Sequence, residues 1–218
     1  RHFSETHPDC NIYVAPNPTN QTGGVRHSAV DVTHWSYFLI DMDPVSEKSD
    51  PMAAMEEALT RFGEWNGRVF SDPKGYRPII IDSGRGVQAW IRLDDIPLVE
   101  GDLVIGSFGV SRKTARKVNG YWLKRLDERL GVSNGCRIDT SVSDLPRVMR
   151  CPGTINMKTG RKTKFIHWTD RKWRGLAEIM MTGTPDKVLI DPEPDDVVRG
   201  QPWQMVFAQM TKSAQDYL

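Results

Sequence analysis

The chain has 218 residues, of which 39% are hydrophobic and 18 are glycine, and its net charge is +1. This is globular composition at a length that suits one large domain, or one domain with an appendage. It excludes a collagen-like or wholly disordered chain, and no apolar run approaches the ~18 residues that a membrane span requires.

In chain order, Asn11 to Ala15 reads as a short strand, and Pro16 to Gly24, rich in Pro, Asn and Gly, as a loop. Trp35 to Ile40 is an unbroken aromatic and aliphatic run, the pattern of a strand buried on both faces. It ends in Asp41-Met42-Asp43-Pro44, where the proline is expected to stop the ladder. Ser49-Asp50-Pro51 opens a helix that runs to about Trp65, with Met55, Leu59 and Phe62 as its apolar stripe. Pro78 to Asp82 and Val87 to Leu93 are two strands around a Ser83-Gly-Arg-Gly86 turn. A long helix covers Ser111 to Leu130: Val118, Trp122, Leu126 and Leu130 recur every four residues, and Gly131 caps the end. Asn119-Gly120 is a candidate kink within it. Lys164 to Trp168 reads as a strand and Gly175 to Met181 as a short helix. The segment from 184 to 201 holds three prolines and reads as a linker, and 202 to 218 as a helix that begins a further domain. These elements predict an α+β fold with a mostly antiparallel sheet and helices packed against it.

The charge is unevenly distributed. Between Arg112 and Glu178 there are 17 Lys or Arg against 6 Asp or Glu, a net of +11, which leaves −10 for the rest. A basic segment beside an acidic one suits a surface for polyanions and another for cations, unless the basic residues are only a solvated face. Cys10, Cys136 and Cys151 form no CxxC pair and their odd count is a poor disulfide framework, so a reducing cytoplasm is the expected location. The chain opens at Arg1 and continues polar, so it reads as a fragment with no targeting segment.

Three stretches carry chemistry. In Asp41-Met42-Asp43 the two aspartates point to one side of a strand, with Cα atoms roughly 6.6 Å apart. Such a pair can flank two divalent cations, or simply end the strand. Magnesium suits few carboxylates, because it keeps water and phosphate oxygens in its shell. In Ser83-Gly84-Arg85-Gly86-Val87-Gln88, the absent Cβ atoms let backbone N–H groups approach an anion, although a glycine hairpin is also just a hairpin. From Asp139 to Lys158, a lone acid precedes Arg147, Arg150 and Lys158 on a backbone shaped by proline and glycine. Guanidinium forks and an ammonium suit phosphate oxygens, while a basic loop paired with Asp139 and Asp144 is the plainer reading.

Taken in order, these motifs resemble the archaeo-eukaryotic primase superfamily, and in particular its primase-polymerases from phages, plasmids and other mobile elements. The similarity runs from about Asn11 to Trp168 and includes an Asn-Ile-Tyr-Val-x-x-Asn-Pro opening. It implies an RRM-like catalytic sheet with flanking helices plus an N-terminal α/β unit, over residues 1–183, and template-directed nucleotidyl transfer. By position, Asp41, Asp43 and Asp139 look like the metal ligands for Mg²⁺ or Mn²⁺. Ser83, Arg85, Gly86 and Gln88 fall on the motif that faces the incoming nucleoside triphosphate. Arg147, Arg150, Asn156 and Lys158 fall on the segment that holds its phosphates. Many members carry histidine where this chain has Gln88, and glutamine brings no positive charge. Asp144 is the competing third carboxylate, but Asp139 better fits the family spacing to Arg147. Arg112, Lys113, Arg116 and Lys117 on the long helix, with Lys162 and Lys164, are expected to follow single-stranded DNA template and primer, and Trp168 or Trp173 to stack on a base. A helicase domain is expected in the full-length protein. The alternatives are a non-enzymatic single-strand-binding module and a metal-dependent glycosyltransferase with the same Asp-x-Asp; a rolling-circle nickase would need paired histidines that are absent.

Overall fold

The computed structural model describes residues 10–20, 28–67, 77–100, 109–185 and 188. The aromatic run becomes β2 (His34–Pro44), which lies antiparallel to β4 (Val87–Val99), with Asp41 opposite Gln88 and Met42 opposite Val87. β3 (Ile79–Asp82) pairs with the other side of β4, and β10 (Lys164–His167) with β3. β6 (Cys136–Ile138) closes the opposite edge against the end of β2. The main sheet therefore runs β10-β3-β4-β2-β6 with every neighbour antiparallel, while β5 (Val110–Ser111) joins the far end of β4 in parallel. Two small sheets flank it: β1 (Tyr13–Val14) with β7 (Met149–Arg150), and β8 (Ile155–Asn156) with β9 (Arg161–Lys162). The architecture is α+β and mostly antiparallel, as the sequence predicts.

Alternation along β2 assigns the two faces. Phe38 stacks on Phe62 of α1 (Pro51–Trp65) at 5.0 Å, and Phe62 meets Trp122 of α2 (Arg112–Leu130) edge-on at 5.6 Å. The even-numbered residues Phe38, Ile40 and Met42 thus face the helices. On the other face Leu39, Ile79, Ile81 and Trp90 are buried as well, which is why β2 shows no hydrophobic alternation. α3 (Leu176–Thr182) joins the helical layer, and Trp122 Nε1 donates to Met180 O at 2.9 Å.

Local chemistry sets the helix ends. Asp50 accepts from the N–H groups of Met52 and Ala53 ahead of Pro51, and Ser111 accepts from Thr114 N. α2 runs unbroken through Asn119-Gly120. There Asn119 Nδ2 donates to Ser143 O at 3.3 Å, so the expected kink is instead the place where the 3-10 turn Thr140–Ser143 lies on the helix. β2 does end at Pro44, as the sequence predicts, with Pro44 as its last paired residue, opposite Cys136. The proline nitrogen points toward the hairpin side, where β4 has already turned away, so no partner is deprived. Gly86 sits at that turn, and a Cβ there would lie 2.1 Å from the Met42 carbonyl oxygen.

Among the described residues, no helix is long and apolar enough to cross a membrane. Apart from Thr184, Pro185 and Val188, the expected linker and the helix from 202 lie outside the described residues.

Candidate functional site

Asp41 and Asp43 alternate with Met42 and therefore share the face of the sheet away from the helices. Asp139 follows β6 directly, and its N–H donates to Asp41 O at 2.9 Å, which continues the pairing of Met42 with Ile138 and Asp43 with Arg137. Two acids almost a hundred residues apart in the chain thereby become cross-strand neighbours on one face. Because the main-chain groups of Asp41 point to β6, its pairing with Gln88 is the non-hydrogen-bonded kind, with Cα atoms only about 4.5 Å apart. Gln88 Nε2 lies 3.5 Å from Asp41 Oδ2, and Gln88 Oε1 is buried with no hydrogen-bond partner.

Burial, then the charges of Asp43 and Asp139, push the Asp41 carboxyl up to about 7, and Gln88 and Arg147 pull it only partly back. The three acids are thus in electrostatic contact. Asp139 Oδ1 also accepts from Ser141 N at 2.9 Å, capping the 3-10 turn. Among the described residues, no three carboxylate, imidazole or thiol groups are gathered tightly enough to hold one ion between them.

The arginines of the third motif divide. Arg147 donates through Nη2 to the main-chain oxygen and the hydroxyl of Ser141, and its Nε is buried without a partner. Arg150 is buried: it donates to Asn11 Oδ1 at 2.6 Å and Tyr13 Oη at 3.0 Å, with its guanidinium 4.9 Å from the Tyr13 ring centre. Asn156 is buried too and donates to Ser83 O at 3.0 Å, whereas Lys158 is exposed. In the hairpin, Ser83 exchanges hydrogen bonds with Gly86 through its hydroxyl, and Gly84 has a φ of +81° that a glycine adopts without strain. Arg85 is exposed and, with Gly84, Gly86 and Arg161, walls a cavity of about 640 Å³ beyond the end of β2. Asp41, Asp43 and Asp139 do not line it.

The basic residues expected on nucleic acid also separate. Arg112 donates to the main-chain oxygens of Ala29, Val30 and Val32, so its guanidinium is engaged within the fold. Arg116 pairs with Asp144 at 3.0 Å, which places the rival third carboxylate with the helix and away from Asp41. Lys113 and Lys117 are half-buried on the same helix, while Lys162 on β9 and Lys164 on β10 are exposed. Trp173 is core at 4% exposure, and Trp168 is open at 61%.

Sequence reasoning missed Arg137. It stands directly opposite Asp43 on the face of the acids, exposed between buried Cys136 and Ile138, and that period-two pattern was its signal. It also gave the Asn-Ile-Tyr-Val-x-x-Asn-Pro opening no task. Asn11 and Tyr13 hold Arg150, and Asn17 Oδ1 accepts from Ser36 N and Tyr37 N where the register of β2 on β4 shifts.

No family model matches the chain, and no curated protein does. Among solved structures it is similar to the AEP domain of the cyanophage S-2L primase-polymerase, with 15% identity over 80% of this chain and 70% of that one and a TM-score of 0.48. It is also similar to the polymerase domain of Mycobacterium tuberculosis Ligase D in complex with DNA, with 15% identity over 92% of this chain and 57% of that one and a TM-score of 0.42.

Proposed function

We propose that this chain is a template-directed nucleotidyltransferase, a DNA primase or polymerase that joins a nucleotide to a 3′-hydroxyl with release of pyrophosphate. The observation that carries the reading is the placement of Asp139 beside Asp41 and Asp43, on one face, from a separate strand. A protein that only bound a polyanion would gain nothing from three acids set together there, because they repel it.

The chemistry of the donor set fits divalent cations. Hard oxygen donors are crowded until Asp41 resists ionisation, and an orphaned amide oxygen of Gln88 lies beside them. Asp41, Asp43 and Asp139, drawn closer together than they stand here, would hold Mg²⁺ or Mn²⁺, which when bound lowers the pKa of the attacking hydroxyl and offsets charge on the triphosphate. Gln88 steadies the Asp41 carboxylate from the neighbouring strand. Arg147 stands within electrostatic reach of Asp41, where its guanidinium charge suits a phosphate beside the cations. Lys158, exposed, adds a positive charge from the same segment. Arg150 acts from behind: bound to Asn11 and Tyr13, it fixes the strand that leads into the phosphate-binding segment.

The test is incorporation of labelled NTPs and dNTPs on single-stranded DNA, with and without a primer. Asp41→Ala, Asp43→Ala and Asp139→Ala are expected to abolish incorporation with the fold retained. Incorporation at the wild-type rate in these variants would overturn the reading.

A further inference from the structure

Among the described residues β10 is the outermost strand of the main sheet, and it carries Phe165 and Ile166 at 46% and 44% exposure, with Trp168 just beyond it at 61%. Edge strands are ordinarily guarded against such display, because an open apolar edge invites pairing with another chain. On a regular strand, residues 165 and 168 would point to opposite faces. Here the register shifts between Phe165 and His167, and His167 Nδ1 is anchored 2.8 Å from Pro78 O. The irregularity changes the parity, and the rings of Phe165 and Trp168 meet edge to face at 5.1 Å.

The register also says where this pair lies. Phe165 is opposite Ile81, Ile81 opposite Gln88, and Gln88 opposite Asp41. Phe165 therefore stands in the same cross-strand row as the carboxylates, three strands away and about 14 Å along the row. The surroundings are basic: from Met157 to Thr169 there are Lys158, Arg161, Lys162 and Lys164 and no Asp or Glu. Lys162 and Lys164 are exposed on either side of buried Thr163; Lys164 stands opposite Asp82, in the row of Val87 and Met42, so it leaves the edge on the face opposite to Phe165, where Asp82 also pairs with Arg161 at 3.4 Å.

We propose that Phe165 and Trp168 form a platform on which a single-stranded nucleic acid stacks its bases, its backbone passing over the open edge of the sheet toward Lys162 and Lys164. Open aromatic faces at an edge that also carries exposed ammonium groups match that ligand, whose bases present π-faces and whose backbone is anionic. A second copy of this chain, adding its own edge strand, would have to bring these lysines together. The assignment rests on the transferase reading only in naming the ligand as the template; binding itself requires no chemistry at the carboxylates.

The experiment is fluorescence anisotropy of a labelled 20-nucleotide oligo-dT in EDTA over a salt series. It compares the wild type with Trp168→Ala, Trp168→Leu, Phe165→Ala/Trp168→Ala and Lys162→Ala/Lys164→Ala, each checked for an unchanged Tm. The double aromatic variant should bind about tenfold more weakly or worse with the same salt slope. Trp168→Leu should also be weakened, because it keeps apolar area and loses the ring. The double lysine variant should flatten the log–log salt slope by about 1.4. Wild-type affinity in folded aromatic variants would overturn the platform, as would a concentration-dependent dimer that these variants abolish while oligo-dT binding stays intact. A wild type that binds through the rings but incorporates no nucleotide would remove the transferase reading and leave the platform standing.

Discussion

Gln88 and Asp41 face each other across the gap between β4 and β2, with Nε2 and Oδ2 3.5 Å apart and the other amide atom, Oε1, buried and unpartnered. An amide in this place can steady a carboxylate but cannot neutralise it. Gln88→Leu, which keeps the volume and removes both polar atoms, should lower kcat/KM for nucleotide incorporation by about tenfold, the scale of one hydrogen bond to a charged group. Steady-state kinetics at saturating template would check this, and an unchanged kcat/KM would count against a role for the amide.

The crowding at Asp41 implies a conflict between function and stability. Its carboxyl titrates near 7 in the fold and near 3.8 when unfolded, so between those values the folded state holds the extra proton. Stability of the metal-free protein should therefore fall as pH rises through roughly 4 to 7 and level off above that. Asp41→Asn should remove this slope and raise the metal-free Tm at pH 8, by on the order of 2–4 °C for each kcal/mol relieved, while it abolishes incorporation. A flat Tm against pH in the wild type would refute the crowding.

Cation uptake follows from the same charge balance. Below pH 7 a divalent ion must displace the Asp41 proton, and above it the site is already ionised. The rise in Tm on adding Mn²⁺ should be larger at pH 8 than at pH 6, and absent in Asp41→Asn/Asp139→Asn. Thermal melts at fixed ionic strength decide this.

Arg150 and Lys158 come from one motif but should fail differently. Arg150 is buried on Asn11 and Tyr13, so Arg150→Ala should cost about 1.5–3 kcal/mol of stability together with activity. Lys158 is exposed, and Lys158→Ala should leave Tm unchanged and raise the nucleotide KM. Urea denaturation alongside kinetics separates the two.

Arg112, despite its place on a basic helix, should behave as a structural residue. Its guanidinium satisfies the carbonyls that end the 3-10 turn Ala29–Asp31, so Arg112→Ala should lower Tm and leave the affinity for oligo-dT and its salt slope unchanged. A flattened slope in that variant would place Arg112 on the nucleic acid.

The sequence by itself determined the elements whose signals are local. The capped start of α1 at Asp50-Pro51, the span of α2 and the doubly buried strand before Asp41 follow from capping chemistry, four-residue periodicity and an unbroken apolar run. It also determined that Asp41 and Asp43 share a face, since alternation along a strand is a property of the backbone. What it could not hold is register between distant strands. β6 is three residues long and β7, β8 and β9 two each, too short for any period to show, yet the pairing of β6 with β2 is what sets Asp139 and Arg137 among the acids. Composition gave Arg112, Arg150 and Lys164 the same charge. Only the tertiary structure decided that the first two are spent on carbonyls, an asparagine and a tyrosine, because a guanidinium's partners are chosen by what folds around it.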